Sequence, residues 1–131
     1  METFDFKDVG LIVGGVYITG FAEGTAIQAE QTEDNFTPSV GADGTVAIAE
    51  SNNKTGQITV TVKSTSPSNP YLMGLANSKK VVPVQIIDLN DNGMKAGGNE
   101  CRVMKPPAAE WGNDVSSREY SIFVADYTQT I

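Results

Sequence analysis

The segment "DLNDNG" (88–93) carries the clearest candidate for binding chemistry in this 131-residue chain. Asp88, Asn90 and Asn92 place oxygen ligands at the first, third and fifth positions of a calcium loop, and the glycine after them suits its sharp turn. A complete loop closes on a bidentate glutamate at position 12, but that position here is Asn99. The alternative is a turn whose Asp and Asn side chains cap their own backbone, and we predict no bound metal.

Groups suited to catalysis are scarce. The chain has no histidine, so the commonest general base is missing. Cys101 is the single cysteine, which excludes an intrachain disulfide, and we interpret it as a buried structural thiol in a predicted strand. Glu33 and Asp34 are adjacent carboxylates, but no acid in a contrasting environment lies near them in sequence. We therefore predict a protein that is not an enzyme and has no cofactor.

The net charge of −7 is concentrated in one third of the chain. Between Lys7 and Lys54 there are seven acids and no base, whereas the remaining nine acids balance the nine bases. Proteins bind nucleic-acid phosphates with cationic side chains that replace the counterions. The composition therefore excludes phosphate binding by that third of the chain. Two interpretations stay open: a solvated acidic face that aids solubility, or a surface that repels nucleic acid.

The totals predict one folded domain over residues 1–131. Apolar residues make up 40% of the chain and charged residues 19%, as in globular proteins. No apolar window is long enough to span a bilayer, and the acidic start of the chain (1–10) lacks the apolar core of a secretory signal. We expect a protein that folds in a cytoplasm and does not insert into membranes.

Alternating apolar and polar residues predict a mainly β fold. The pattern favours an antiparallel β-sandwich or partly closed β-barrel of six to eight strands with one short flanking helix. Gly14-Gly15 suits a two-residue hairpin turn, and Thr45–Glu50 is predicted to pair with Gln57–Lys63. The near-continuous apolar run Val81–Leu89 predicts a strand buried on both faces. Further strands are predicted at Val9–Phe21, Ala26–Gln31, Cys101–Met104 and Glu119–Tyr127.

Two other segments complete the predicted organisation. A helix of about two turns is expected near 69–78, with Asn69 as its N-cap and Pro70 in its first turn. Thr32–Gly44 is predicted to be a long irregular loop because it contains Pro38 and two glycines. Long loops in compact domains are usually functional or form interfaces.

Several segments together resemble the tail tube proteins of contractile-tailed bacteriophages and of phage-tail-like bacteriocins. The resemblance runs in order over almost the whole chain, and its most specific parts are the VGADG and NxxTGxIT segments. It is carried by "ITGFAEGTAI" (18–27), "EDNFTPSVGADGTV" (33–46), "SNNKTGQITVTVKSTSPSN" (51–69), "KPP" (105–107) and "SSREYSIF" (116–123).

This resemblance implies a structural protein that assembles with copies of itself. Six copies would form a ring in which the sheets join into one barrel that spans the ring, and rings would stack into a hollow tube for DNA or ion passage. It implies sheath, tape-measure and baseplate or tube-initiator proteins as partners, with DNA only in transit. The protein would be assembled in the bacterial cytoplasm and end in a virion tail or an extracellular bacteriocin particle.

The resemblance also implies roles for particular residues. The loop 32–44 would contact an adjacent subunit or ring, unless it folds back on its own subunit. The strand faces that point away from the core would line the lumen, although the pattern leaves open which face is inward. The interface candidates are Glu33, Asp34, Phe36, Val40 and Gly41, and the lumen candidates are Gln28, Glu30, Thr59 and Thr61.

Two other functions share the strand pattern. A small β-sandwich binding module would normally show clustered exposed aromatics, and the aromatic residues here are scattered along the sequence. An Hcp-like tube protein of a secretion system is a closer rival. Gene neighbours that encode a sheath, a tape measure and a baseplate would separate that rival from a phage or bacteriocin tail.

Overall fold

The structure is a computed structural model that describes residues 4–131; the first three residues of the acidic N-terminal stretch lie outside this range. Residues 4–131 form ten strands, one α-helix and a short 3-10 helix. In chain order these are the 3-10 helix Phe6–Asp8, β1 Val9–Val13, β2 Val16–Tyr17, β3 Ile27–Gln31, β4 Phe36–Val40, β5 Val46–Glu50, β6 Gly56–Lys63, α1 Asn69–Ser78, β7 Val82–Asp88, β8 Lys95–Val103, β9 Ser117–Val124 and β10 Thr128–Thr130.

Eight strands form one antiparallel sheet that is not closed within the subunit. Its order is β2-β1-β7-β8-β9-β6-β3, and β10 pairs with the first part of β8. The other two strands, β4 and β5, form a separate hairpin. The predicted mainly β antiparallel fold with one helix is confirmed. The predicted pairing of Thr45–Glu50 with Gln57–Lys63 is wrong, because β5 pairs with β4 while β6 lies between β3 and β9.

The core lies on one face of the main sheet. On β6, Ile58, Val60 and Val62 are fully buried, as the alternation of that strand predicts. The prediction that Val81–Leu89 is buried on both faces is wrong. On β7 the side chains of Pro83 and Gln85 are exposed between buried valines and isoleucine, because no second layer formed by residues 4–131 covers the outer face of the sheet.

The Gly14-Gly15 turn joins β1 and β2 as predicted. Both glycines have positive φ, +58° and +84°, which suits a tight hairpin turn. Gly14 also leaves room for α1: the Tyr71 hydroxyl donates to the Val13 carbonyl at 2.9 Å. A Cβ at Gly14 would lie 2.5 Å from that hydroxyl.

Helix α1 covers the sheet at the end where β6 and β8 finish. Leu72, Leu75 and Ala76 join the core, and the helix ends at Ser78, followed by the C-cap residue Lys79 with a left-handed φ of 58°. The N-cap position is Ser68, so the prediction of Asn69 as N-cap is wrong by one residue. The Asn69 side chain instead donates to the Lys63 carbonyl at the end of β6 and to two carbonyls of the turn that follows, those of Ser64 and Ser66. Within 4–131 no helix is long and apolar enough to cross a bilayer.

Asp126 fixes the irregular part of β8. The ladder between β7 and β8 shifts register, and two consecutive β8 amides, those of Asn99 and Glu100, point at the Asp126 carboxylate, each at 3.0 Å. The Glu100 and Asn99 amides lower the pKa of Asp126 from its ordinary value of 3.8, because they bind the charged form.

This pKa shift predicts a pH-dependent contribution to stability. A lowered folded-state pKa stabilises the fold above the unfolded pKa, and that contribution disappears as the pH falls through the folded value. The unfolding midpoint of Asp126→Asn should therefore lie below that of wild type at pH 7, and the gap should narrow below about pH 4. Urea titrations at several pH values measure this, with the exposed loop variant Asp114→Asn as control. A constant gap down to pH 2.5 would contradict the assignment.

Candidate subunit interface

The segment predicted to be an irregular loop is instead half of a β-hairpin. β4 and β5 pair in register from Phe36–Glu50 to Val40–Val46. At the tip, the Gly41 amide donates to the Thr45 carbonyl at 2.7 Å, and the Thr45 amide donates to the Asp43 carboxylate at 3.0 Å. The Thr45 amide is the main cause that lowers the pKa of Asp43. Pro38 does not prevent pairing, since a two-stranded hairpin has outer edges where no amide is needed.

The hairpin has one apolar face. Directly paired residues share a face, so Phe36 lies beside Glu50 on the same side as two apolar cross-strand pairs. The opposite face carries only Thr, Ser and Ala. Phe36, Val40, Val46 and Ile48 are 48, 68, 61 and 57% exposed, and Pro38 completes this apolar face.

This hairpin does not pack on its own subunit. Every residue from 31 to 50 is exposed, and the buried core contains none of them. The alternative in which the segment folds back on its own body therefore does not describe this structure. An isolated two-stranded hairpin is marginally stable in water, and a contiguous exposed apolar face usually marks an interaction site.

The predicted interface residues fall on different parts of the hairpin. Phe36 and Val40 lie on the apolar face, and Gly41 lies in the turn. Glu33 and Asp34 lie in the entry to β4, where the Gln31 side-chain amide donates to the Glu33 backbone carbonyl. Sequence reasoning missed the apolar side chains of β5, Val46 and Ile48, although their alternation in "VAIAE" could have indicated a strand opposite β4.

The predicted lumen residues share one surface. Gln28 of β3 pairs directly with Thr59 of β6, Glu30 pairs with Gln57, and Thr61 follows on the same face of β6. This outer face of β3 and β6 lies opposite the buried Ile58 and Val60, so it is polar and carries no packed layer within residues 4–131. Strand β3 also ends the sheet, and among residues 4–131 no strand pairs with its outer edge.

The candidate calcium residues act as turn caps. The Asp88 carboxylate accepts from the Asn90 backbone amide at 2.9 Å and from the Asn90 side chain at 2.7 Å. Asn90 in turn bonds both the amide and the carbonyl of Asp5, and Asn92 takes a left-handed φ of 57°. These contacts match the alternative interpretation, a turn whose Asp and Asn side chains cap the backbone. The Asn90 side-chain oxygen already accepts a hydrogen bond from the Asp5 amide.

Cys101 is fully buried in β8, as its interpretation as a structural thiol requires. Burial raises the pKa of the thiol to about 11, so it stays protonated at neutral pH. The chain has no histidine that could act as its base.

Comparisons with known proteins show the family and the fold of this chain. The family model described as "Bacteriophage PhiTE tail tube protein" matches residues 1–88. No curated protein sequence matches the chain. A chain of the sheath–tube complex of an extracellular contractile injection system is similar in fold, with a TM-score of 0.68, 14% identity and coverage of 98% of this chain and 91% of that one.

Two further solved structures share the fold. A chain of the tube-terminating cap of the anti-feeding prophage has a TM-score of 0.66 and 11% identity, and the match covers 99% of this chain and 92% of that one. A chain in the virion of a native gene transfer agent particle has a TM-score of 0.63 and 13% identity, with coverage of 98% and 100%.

Proposed function

Because this chain belongs to the bacteriophage PhiTE tail tube protein family, we propose that it forms the inner tube of a contractile tail as stacked hexameric rings. The observation that carries this proposal is the β4–β5 hairpin, which exposes a whole apolar face away from its own core. A subunit with such a face needs a partner that covers it, and a second copy of the chain is always available during assembly.

The open edge of the main sheet supports ring formation. In the described part of the chain the outer edge of β3 is unpaired, and a neighbouring copy can extend the sheet there by main-chain hydrogen bonds. When the same contact repeats around a closed ring, no copy keeps a free β3 edge. The outer face of β3 and β6 then lines the lumen, where Gln28, Glu30, Thr59 and Thr61 offer no cation to bind passing DNA.

The hairpin is proposed to make a second contact between copies, separate from the contact at the β3 edge. Phe36 and Val40, together with Val46 and Ile48, are the apolar anchors of this contact, while Gly41 shapes the tip. Glu33 and Asp34 at the hairpin base contribute charge. The tube is surrounded by a sheath, begins on a baseplate or initiator and encloses a tape-measure protein. It belongs to a virion tail or to an extracellular bacteriocin particle, has no enzymatic activity and is assembled in the host cytoplasm.

Assembly of the purified protein tests this proposal. We expect hexameric rings or tubes by size-exclusion chromatography with light scattering and by negative-stain microscopy, because each subunit carries both the apolar hairpin face and the open β3 edge. The measurement covers a range of protein concentrations at low salt. Monomers alone at high concentration would contradict the proposed function.

A further inference from the structure

The turn between β7 and β8 holds the one asparagine–glycine pair of the chain. Nine asparagines occur in the sequence, and Asn92 alone is followed by glycine. Glycine has no side chain that keeps its backbone amide nitrogen away from the preceding residue, so the Gly93 nitrogen can reach the side-chain carbon Cγ of Asn92. Two groups held close together in one chain react far faster than separate molecules do.

The geometry of the turn requires this pair. The Gly93 amide donates to the Asn90 carbonyl at 2.9 Å, which closes the turn. A Cβ at position 93 would overlap the Asp88 carbonyl oxygen, so the fold admits only glycine there. Asn92 takes a left-handed φ of 57°, a region that asparagine and glycine tolerate better than most residues do. A bulkier residue after Asn92 would slow its chemistry, but this turn cannot accept one.

We propose that Asn92 is a site of deamidation by water, which converts its side-chain amide into a carboxylate. The Gly93 nitrogen attacks Cγ of Asn92 and a succinimide ring forms. The side-chain nitrogen takes up the Gly93 amide proton and leaves as ammonia. Water then opens the ring: attack at Cγ gives aspartate, and attack at the backbone carbonyl carbon gives isoaspartate, whose main chain runs through Cβ and Cγ. No oxidant or reductant takes part.

The side chain of Asn92 is exposed, whereas several other asparagines are held in place. The side-chain oxygens of Asn35, Asn53 and Asn90 each accept a hydrogen bond from a neighbouring amide. Asn77 is exposed and is followed by a small residue, but it lies in α1, where the helix fixes its backbone. Asn92 is therefore the asparagine that we expect to react first, and Asn77 is its matched control.

The reaction requires the turn to open but does not require the subunit to unfold. The hydrogen bond of the Gly93 amide holds the nitrogen in the closed turn. This bond lies outside the β7–β8 ladder, which ends at the pair Ile87 and Lys95. Exposed turns open locally at a much lower free energy than core strands do. Asn92 can therefore react while β7 and β8 stay paired.

Isoaspartate in this turn is expected to loosen the N-terminal segment. Asn90 bonds both the amide and the carbonyl of Asp5, each at 3.0 Å, and the Leu89 amide donates to the Asp8 carbonyl at 3.0 Å. Isoaspartate adds one carbon to the main chain two residues after Asn90 and so displaces this anchor. Aspartate adds the same charge but leaves the main chain unaltered.

Incubation of the folded full-length protein in water labelled with oxygen-18 tests the site. At mildly alkaline pH we expect one labelled oxygen to enter at Asn92, and a methyltransferase specific for isoaspartate should modify the same position. The tryptic peptide 81–95 also contains Asn90, so fragment spectra assign the label. Asn92→Gly, which suits the left-handed φ, should lose both signals. Absence of label at Asn92 in the folded protein after an incubation that labels the isolated peptide, or equal labelling of Asn77, would overturn the proposal.

Hydrogen exchange tests the expected effect on the N-terminal segment. Anion exchange separates the deamidated fraction, because it carries one more negative charge. The amides of Asp5 and Leu89 should exchange faster in this fraction than in unmodified protein. Freshly prepared Asn92→Asp, which adds only the charge, should exchange like the unmodified protein. Equal exchange in the deamidated and unmodified proteins, or equally fast exchange in Asn92→Asp, would overturn the displacement of the anchor by isoaspartate.

Discussion

Replacing residues 33–54 with a two-residue Asn-Gly turn is expected to abolish tube formation and leave a folded subunit. The Thr32 amide already donates to the Thr55 carbonyl at 3.0 Å, so the two ends lie side by side at the base of the hairpin. An Asn-Gly turn joins adjacent antiparallel strands without splaying them. None of the removed residues belongs to the buried core, and the contact that the body loses is the Lys54 carbonyl, which accepts from the Tyr127 amide at 2.9 Å. The free energy of unfolding of the body should therefore fall by only about 1 kcal/mol.

The hairpin must be removed as a whole for this test to be clear. Deleting 32–44 alone would take away β4 and leave β5 without its partner, which would expose an unpaired apolar strand. Circular dichroism and thermal unfolding report whether the body remains folded, and negative-stain microscopy reports assembly. Tubes of normal length from the shortened protein would show that the hairpin is not an assembly element.

Two substitutions at neighbouring positions distinguish the effect of the apolar face from a general effect on the hairpin. Ile48 and Ala47 are adjacent on β5 and point to opposite faces. Ile48→Thr keeps a β-branched side chain but removes apolar contact area, whereas Ala47→Thr changes only the polar face. Assembly should be weaker for Ile48→Thr and unchanged for Ala47→Thr. An equal loss in both would indicate a general effect on the hairpin rather than docking of its apolar face.

The strand pattern predicted the parts of the fold where one face is buried. In β6 the alternation of Ile58, Val60 and Val62 with polar residues predicts both that the segment is a strand and which of its faces is buried. The Gly14-Gly15 turn was predictable because a two-residue turn demands positive φ. For β7 the same reasoning failed: the run from 81 to 89 contains enough apolar residues to mimic a strand buried on both faces, yet Pro83 and Gln85 face outward.

The hairpin was not predictable from burial, since burial does not stabilise it within the subunit. Pro38 and the glycines near it indicate a loop, and the alternation of Val46 and Ile48 predicts a strand that pairs with the next strand along the chain. Strand partners depend on long-range topology. Here β6 lies between β3 and β9, so β5 pairs with β4 instead. Phe36 and Val40 could be identified as anchors, but only the pairing register puts them on one face with Val46 and Ile48.

The second large effect concerns Asn69, whose side chain joins α1 to the sheet. Its side-chain amide donates to the carbonyls of Lys63, Ser64 and Ser66 at 2.9 to 3.2 Å. Its oxygen accepts from the hydroxyl of Tyr120 at 3.0 Å, and both residues are buried. Each polar group left unsatisfied in such a place costs about 1–3 kcal/mol, which makes this residue a larger contributor than its exposed helix neighbours.

Asn69→Ala should lower the free energy of unfolding by about 2–4 kcal/mol, because the Tyr120 hydroxyl and the strand-end carbonyls lose their partner together. For a domain of this size we expect the thermal midpoint to fall by roughly 10 °C. Asn77→Ala, on the exposed side of the same helix, is the control and should change the midpoint little.

A double-mutant cycle tests the hydrogen bond between Asn69 and Tyr120. Tyr120→Phe should lower the free energy of unfolding less in the Asn69→Ala background than in the wild type, because the hydroxyl no longer has the Asn69 oxygen to bond. Additive losses in denaturant titrations would mean that the two residues act independently and that the hydrogen bond between them does not hold α1 on the sheet.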